Sequence, residues 1–147
     1  MNSFKQLLYN NALLASITAW FVAQSLKVIL TLILKKEFDI RRFVGSGGMP
    51  SSHSAFVVAL AISVGKINGY DSQIFAVATV LALVVMYDAA GVRRAAGKQA
   101  AVLNDIIEDL YAHKTIREEK LKELLGHTPI EVIAGALLGF FIAILFF

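Results

Sequence analysis

The stretch Gly45-Ser46-Gly47-Gly48-Met49-Pro50-Ser51-Ser52-His53-Ser54 holds a dense set of residues able to do chemistry, and it runs straight into the apolar segment 55–64. Small residues, a proline and serines ahead of a helix leave backbone amides free to converge on an anion. The helix start adds unpaired N–H groups and the positive end of its dipole. His53 stands where that anion would sit, and an imidazole can hand it a proton near neutral pH. The chemistry expected here is the gripping and protonation of a phosphate at a membrane surface; capping of the helix start is the plainer role for His53.

A second group opens the last apolar segment: Gly126-His127-Thr128-Pro129-Ile130-Glu131. Thr128 as N-cap, Pro129 at the first helical position and Glu131 three residues past the cap spell a capping box. The same cap would bring Glu131 to a site built around His127. A third group, Tyr87-Asp88-Ala89-Ala90-Gly91-Val92-Arg93-Arg94, ends another apolar segment. Its arginines either bind phosphate, for which the guanidinium fork is suited, or anchor the helix at the headgroups, or pair with Asp88. Lys27 interrupts the first apolar segment, where an ammonium is costly and therefore functional by default; snorkelling is the alternative. Arg41 and Arg42 serve equally as site residues or topology signals. Gln99 and Asn104 are supporting donors or ordinary helix polarity.

The elements that must position these groups are membrane helices. The chain has 147 residues, 57% of them hydrophobic, with a mean hydropathy of +0.67, beyond the ordinary soluble range. Residues 12–34 and 130–147 are long apolar runs, and 74–87 extends with its flanks to about 18 residues, near the length that spans a bilayer. Segment 55–67 is shorter and ends near Lys66. No small-residue cleavage site follows the first run, so no removable signal peptide is expected. Without cysteine there is neither a disulfide nor a thiolate metal site. No repeat or low-complexity linker is evident.

The expected architecture is all-α. It is one integral membrane domain over 1–147, with about four spans at roughly 12–34, 53–67, 73–91 and 129–147, and a helical insertion outside the membrane at 95–126. Ser16, Trp20, Gln24, Lys27 and Thr31 recur every three or four residues and form a polar stripe that should face the bundle. Gly135 and Gly139 make a small-xxx-small face suited to helix packing. In the insertion, Leu103, Ile106, Ile107 and Leu110 form an apolar stripe, and 114–123 reads as a solvated charged face.

Four spans place residues 35–53 and 91–128 on one side, with eleven of the basic residues; the other side has Lys5 and Lys66. The positive-inside bias puts the charged loops, and the site with them, at the cytoplasmic face of the cell membrane. Setting aside Arg41, Arg42, Arg93 and Arg94 leaves seven basic residues against two.

The three groups together resemble the type 2 phosphatidic acid phosphatase and vanadium haloperoxidase superfamily, in its small divergent bacterial and plant branch. Superfamily signatures are K-x6-R-P, P-S-G-H and S-R-x5-H-x3-D. Pro50-Ser51-Ser52-His53 resembles the second, with serine for glycine. His127 through Gly139 resembles the tail of the third, usually H-x3-D-V-x2-G-x3-G, with Glu131 for aspartate. Arg93 or Arg94 best matches its arginine, although over thirty residues replace the five-residue spacer. The first signature survives as Lys35-x6-Arg42 followed by Phe43, and Lys27 in its Ala23-Gln24-x-x-Lys27 context competes for the lysine role.

The resemblance implies a metal-free, cofactor-free phosphoryl transfer in two steps. His127 would attack phosphorus and form a phosphohistidine, Glu131 would orient its ring, and His53 would protonate the leaving oxygen. Ser51, Ser52, Arg93 or Arg94, and Lys27 or a lysine paired with Arg42 would hold the phosphoryl oxygens. A membrane site favours a lipid phosphate or pyrophosphate as substrate, among membrane lipids and with no nucleic acid. The superfamily's usual core has six helices, so a homodimer would supply what four spans lack. The alternative is a non-catalytic phospholipid-binding or transport protein that keeps the anion site. A vanadate-dependent oxidase is disfavoured because those relatives are soluble.

Overall fold

The computed structural model describes residues 3–36, 48–111 and 126–147, and every element among them is helical. Helix α1 (Ser3–Leu8) is a short lead-in to α2 (Asn11–Lys35); α3 (Ser52–Asn68), α4 (Gln73–Ala90), α5 (Val92–Tyr111) and α6 (Pro129–Phe146) follow. Four of these helices start on a side chain that accepts from the backbone three residues on. Asn10 caps α2, Ser51 caps α3, Ser72 caps α4 and Thr128 caps α6. The turn expected at Asn68-Gly69 ends α3, with Gly69 at φ 90°, a conformation that favours glycine.

Among the described residues, three stretches are long and apolar enough to cross a membrane: Asn11–Ile33, Gln73–Asn104 and Pro129–Phe146. In the second, the apolar residues are concentrated on α4, and α5 adds Arg93, Arg94 and Lys98. Helix α5 begins at Val92, one residue after α4 and ahead of the insertion expected from 95. On α5, Gly97, Ala100 and Asn104 are buried, whereas Leu103 and Ile106 of the expected apolar stripe are exposed. The charged run at 114–123 and most of the second half of the insertion lie outside the described residues.

Helix α3 is the centre of the bundle and packs against α2, α4 and α6. Its buried residues are Ser52, Ser54, Ala55, Val57, Ala59, Ala61, Ser63 and Gly65, small on every side. Small side chains let three neighbours approach at once, which is how helices gain packing energy where lipid removes the hydrophobic drive between them. One core joins Ala19 and Ala23 of α2, Ala55 and Ala59 of α3 and Ala143 of α6. The other joins Val57 and Ala61 of α3 to Ala78 and Ala82 of α4. Large apolar residues turn outward instead: Val77, Leu83 and Val84 on α4, and Leu137, Phe141 and Leu145 on α6, are exposed. This pattern of small inside and large outside suits a lipid solvent.

The tightest crossing is between α3 and α6. A Cβ placed on Gly135 would run into the Ser51 carbonyl oxygen and lie 3.0 Å from its carbon. One turn on, a Cβ on Gly139 would meet the Ala55 carbonyl oxygen and lie 3.0 Å from its carbon. The small-xxx-small face of α6 is thus the seat of the first turn of α3. Gly135→Ala and Gly139→Ala should each destabilise the fold by about 1–3 kcal/mol through overpacking. A lower thermal midpoint in detergent, against little change for lipid-facing Leu137→Ala, checks this.

Candidate functional site

The site is assembled by the starts of α3 and α6. At α6 the capping box forms: the Thr128 hydroxyl accepts from the Glu131 amide, and Glu131 Oε2 accepts from the Thr128 amide at 2.9 Å. The same Oε2 lies 3.2 Å from Nδ1 of His127. A carboxylate can only accept, so this contact puts a proton on Nδ1 and leaves Nε2, on the far edge of the ring, as the nitrogen with a lone pair. The His127 backbone is fixed as well, since its amide donates to the Ala89 carbonyl at the end of α4 at 2.9 Å. His127 is 2% exposed.

At α3 the chain enters through a cis Met49–Pro50 bond. The Ser51 amide donates to the Glu131 carbonyl at 2.9 Å, so one residue of α6 contacts both His127 and the neighbouring helix. That bond uses one of the two serine amides expected to face a phosphate. The Ser51 hydroxyl is engaged too, accepting from the Ser54 amide at 3.3 Å and the Ser54 hydroxyl at 3.0 Å. His53 follows on the first turn, and its ring meets that of His127 edge-on, with centroids 6.2 Å apart.

A cation completes the described cluster. Lys27, 3% exposed on α2, donates from Nζ to the Ser52 hydroxyl at 3.2 Å and is attracted electrostatically by Glu131. It does not snorkel: the polar stripe of α2 faces inward at Ser16, Gln24 and Lys27, which are all buried. Trp20, read into the same stripe, is 37% exposed.

The structure therefore brings His53, His127, Glu131, Ser51, Ser52 and Lys27 together. Arg93 and Arg94 lie on the first turn of α5, four and five residues past the Ala89 carbonyl that holds His127, and only their backbone is described. Arg42 and Gly45–Gly47 lie outside the described residues. Gln99 is exposed, on an open groove with Lys98, Val102 and Leu103 that contains none of the cluster. Sequence reasoning gave Ser54 no role of its own within the serine run, and missed the Ala89 carbonyl, a backbone acceptor with no side-chain signature.

Glu131→Ala should cost about 1–2 kcal/mol as the box is lost and release the ring. Imidazole 15N shifts of His127 should then move from a fixed Nδ1–H tautomer to a mixture. Thr128→Ala should cost a similar amount while the tautomer persists, because the His127–Glu131 contact remains.

The family model described as the divergent PAP2 family matches residues 8–142. The membrane protein YuiD of Bacillus subtilis, described as uncharacterized, is 43% identical over 145 residues, covering 91% of this chain and 92% of its own length. No solved structure matches. The chain belongs to the divergent PAP2 family.

Proposed function

We propose that this divergent PAP2 family member is a membrane phosphatase that hydrolyses a lipid phosphate or pyrophosphate through a phosphohistidine on His127. The observation that carries the proposal is the pairing of two histidines at a 6.2 Å ring separation, one of them held through Nδ1 by a carboxylate. Nε2 of His127 attacks phosphorus, and the bond to the leaving oxygen breaks as His53 gives that oxygen a proton. His53, now neutral, takes a proton from water; the resulting hydroxide displaces His127 and releases inorganic phosphate. Glu131 balances the positive charge that develops on the His127 ring. Lys27, the hydroxyl and amide of Ser52, the Ser51 hydroxyl, and Arg93 or Arg94 hold the phosphoryl oxygens, with Arg42 as a further candidate. Fixed cations and donors of this kind supply most of the acceleration in phosphoryl transfer.

In the same proposal α3 is a fourth span. Its 17 residues lie inside a shell of three other helices, where small and polar side chains are tolerated. The site then opens at the cytoplasmic face, and a homodimer supplies further walls. The competing reading, a phospholipid-binding or transport protein without turnover, draws on the long segment that separates Arg94 from His127 and on Glu131 in place of aspartate.

Phosphate release from a panel of lipid phosphates by detergent-solubilised protein separates the two. Turnover should fall by about two to four orders of magnitude in His53→Ala, as expected for loss of a general acid. The deficit should shrink for an aryl phosphate whose leaving group needs no proton. His127→Ala should be inactive on both. Lipid binding with no release above these variants would leave the binding protein.

A further inference from the structure

Gln24 lies three residues before Lys27, so the two side chains leave neighbouring positions on one face of α2. Gln24 is 4% exposed and Lys27 3%. Ala23 beside it shares a core with Ala55, one turn past the Ser51 cap, so this part of α2 adjoins the start of α3 that carries part of the site. The ammonium of Lys27 has the Ser52 hydroxyl as partner. The Gln24 side-chain oxygen, shielded from solvent, has no hydrogen-bond partner among the described residues.

A buried amide oxygen without a donor carries its full desolvation cost, and native folds retain few of them. Bulk water cannot relieve that cost inside a spanning helix. Beside a cation that faces a phosphate site, the unpaired acceptor points to a group of the ligand. An amide oxygen needs a ligand that brings a proton. Sulfate and phosphodiesters have none to give at neutral pH, whereas a singly protonated terminal phosphate presents one P–OH.

From this we infer that the Gln24 oxygen accepts a hydrogen bond from the P–OH of a terminal phosphate, so that the site selects phosphomonoesters, pyrophosphates and inorganic phosphate over phosphodiesters and sulfate. The inference rests on the phosphate reading of the cluster. Within it, Lys27 serves the ionised oxygens and Gln24 the protonated one. A ligand lacking that proton leaves the oxygen buried and unpaired, which is the strongest form of rejection a polar site has.

Binding of inorganic phosphate and of sulfate, measured by calorimetry on the detergent-solubilised chain near pH 6, tests this, because inorganic phosphate carries P–OH there and sulfate does not. Wild type should prefer phosphate by about tenfold or more, the worth of one charge-assisted hydrogen bond. Gln24→Leu should bring the ratio close to unity while its thermal midpoint holds or rises; Gln24→Met, closer in shape, should do the same. Wild-type protein that binds no phosphate would overturn the phosphate reading and this inference together. Phosphate binding with the ratio unchanged in the variants, or with no preference in wild type, would overturn this inference alone. Failure of both variants to fold would make Gln24 a structural residue and overturn it as well.

Discussion

One carboxylate holds the arrangement together. Glu131 Oε2 accepts from the Thr128 amide and faces Nδ1 of His127, while the carbonyl of the same residue accepts from the Ser51 amide at the start of α3. A helix start has orphan amides to satisfy wherever it occurs. Here the residue that satisfies one of them also fixes the tautomer of a histidine and the docking of a second helix. Structural and chemical roles therefore coincide in Glu131. The glutamate side chain is long enough for one oxygen to serve the cap and the ring together.

The rest of the bundle can be seen as what that junction needs. Two helix starts come together only if nothing large stands between them, and Gly135 and Gly139 leave room for the backbone of Ser51 and Ala55. Alanines at 19, 23, 55, 59 and 143 extend the same close approach along α2, α3 and α6. With the helices this near, Lys27 of α2 reaches Ser52. Close packing of small residues thus converts three separate polar positions into one cluster, and lipid-facing bulk on α4 and α6 costs nothing in such a solvent.

Much of this was legible in the sequence, for identifiable reasons. The capping box could be read because Thr128, Pro129 and Glu131 are local and their spacing is set by helix geometry. The inward polar stripe on α2 could be read from its period, Trp20 apart. The central place of α3 could not: alanine, serine and glycine score as weakly apolar, and only the neighbours show that they are buried on all sides. That α5 starts one residue after α4 could not be read, because Gly91, Arg93 and Arg94 look like the end of a span. Contacts through backbone atoms, such as the Ala89 carbonyl on the His127 amide, leave no residue-type signature at all.

The central claim is that the nitrogen opposite Glu131 on the His127 ring is a nucleophile. The most direct measurement is to quench turnover of a 32P-labelled lipid phosphate in base, where phosphohistidine survives, and map the label by proteolysis and mass spectrometry. The account predicts acid-labile label on the peptide that contains His127, and none in His127→Ala. Phosphate release without label on that peptide, or label on a serine of the Ser51–Ser54 run, would contradict it.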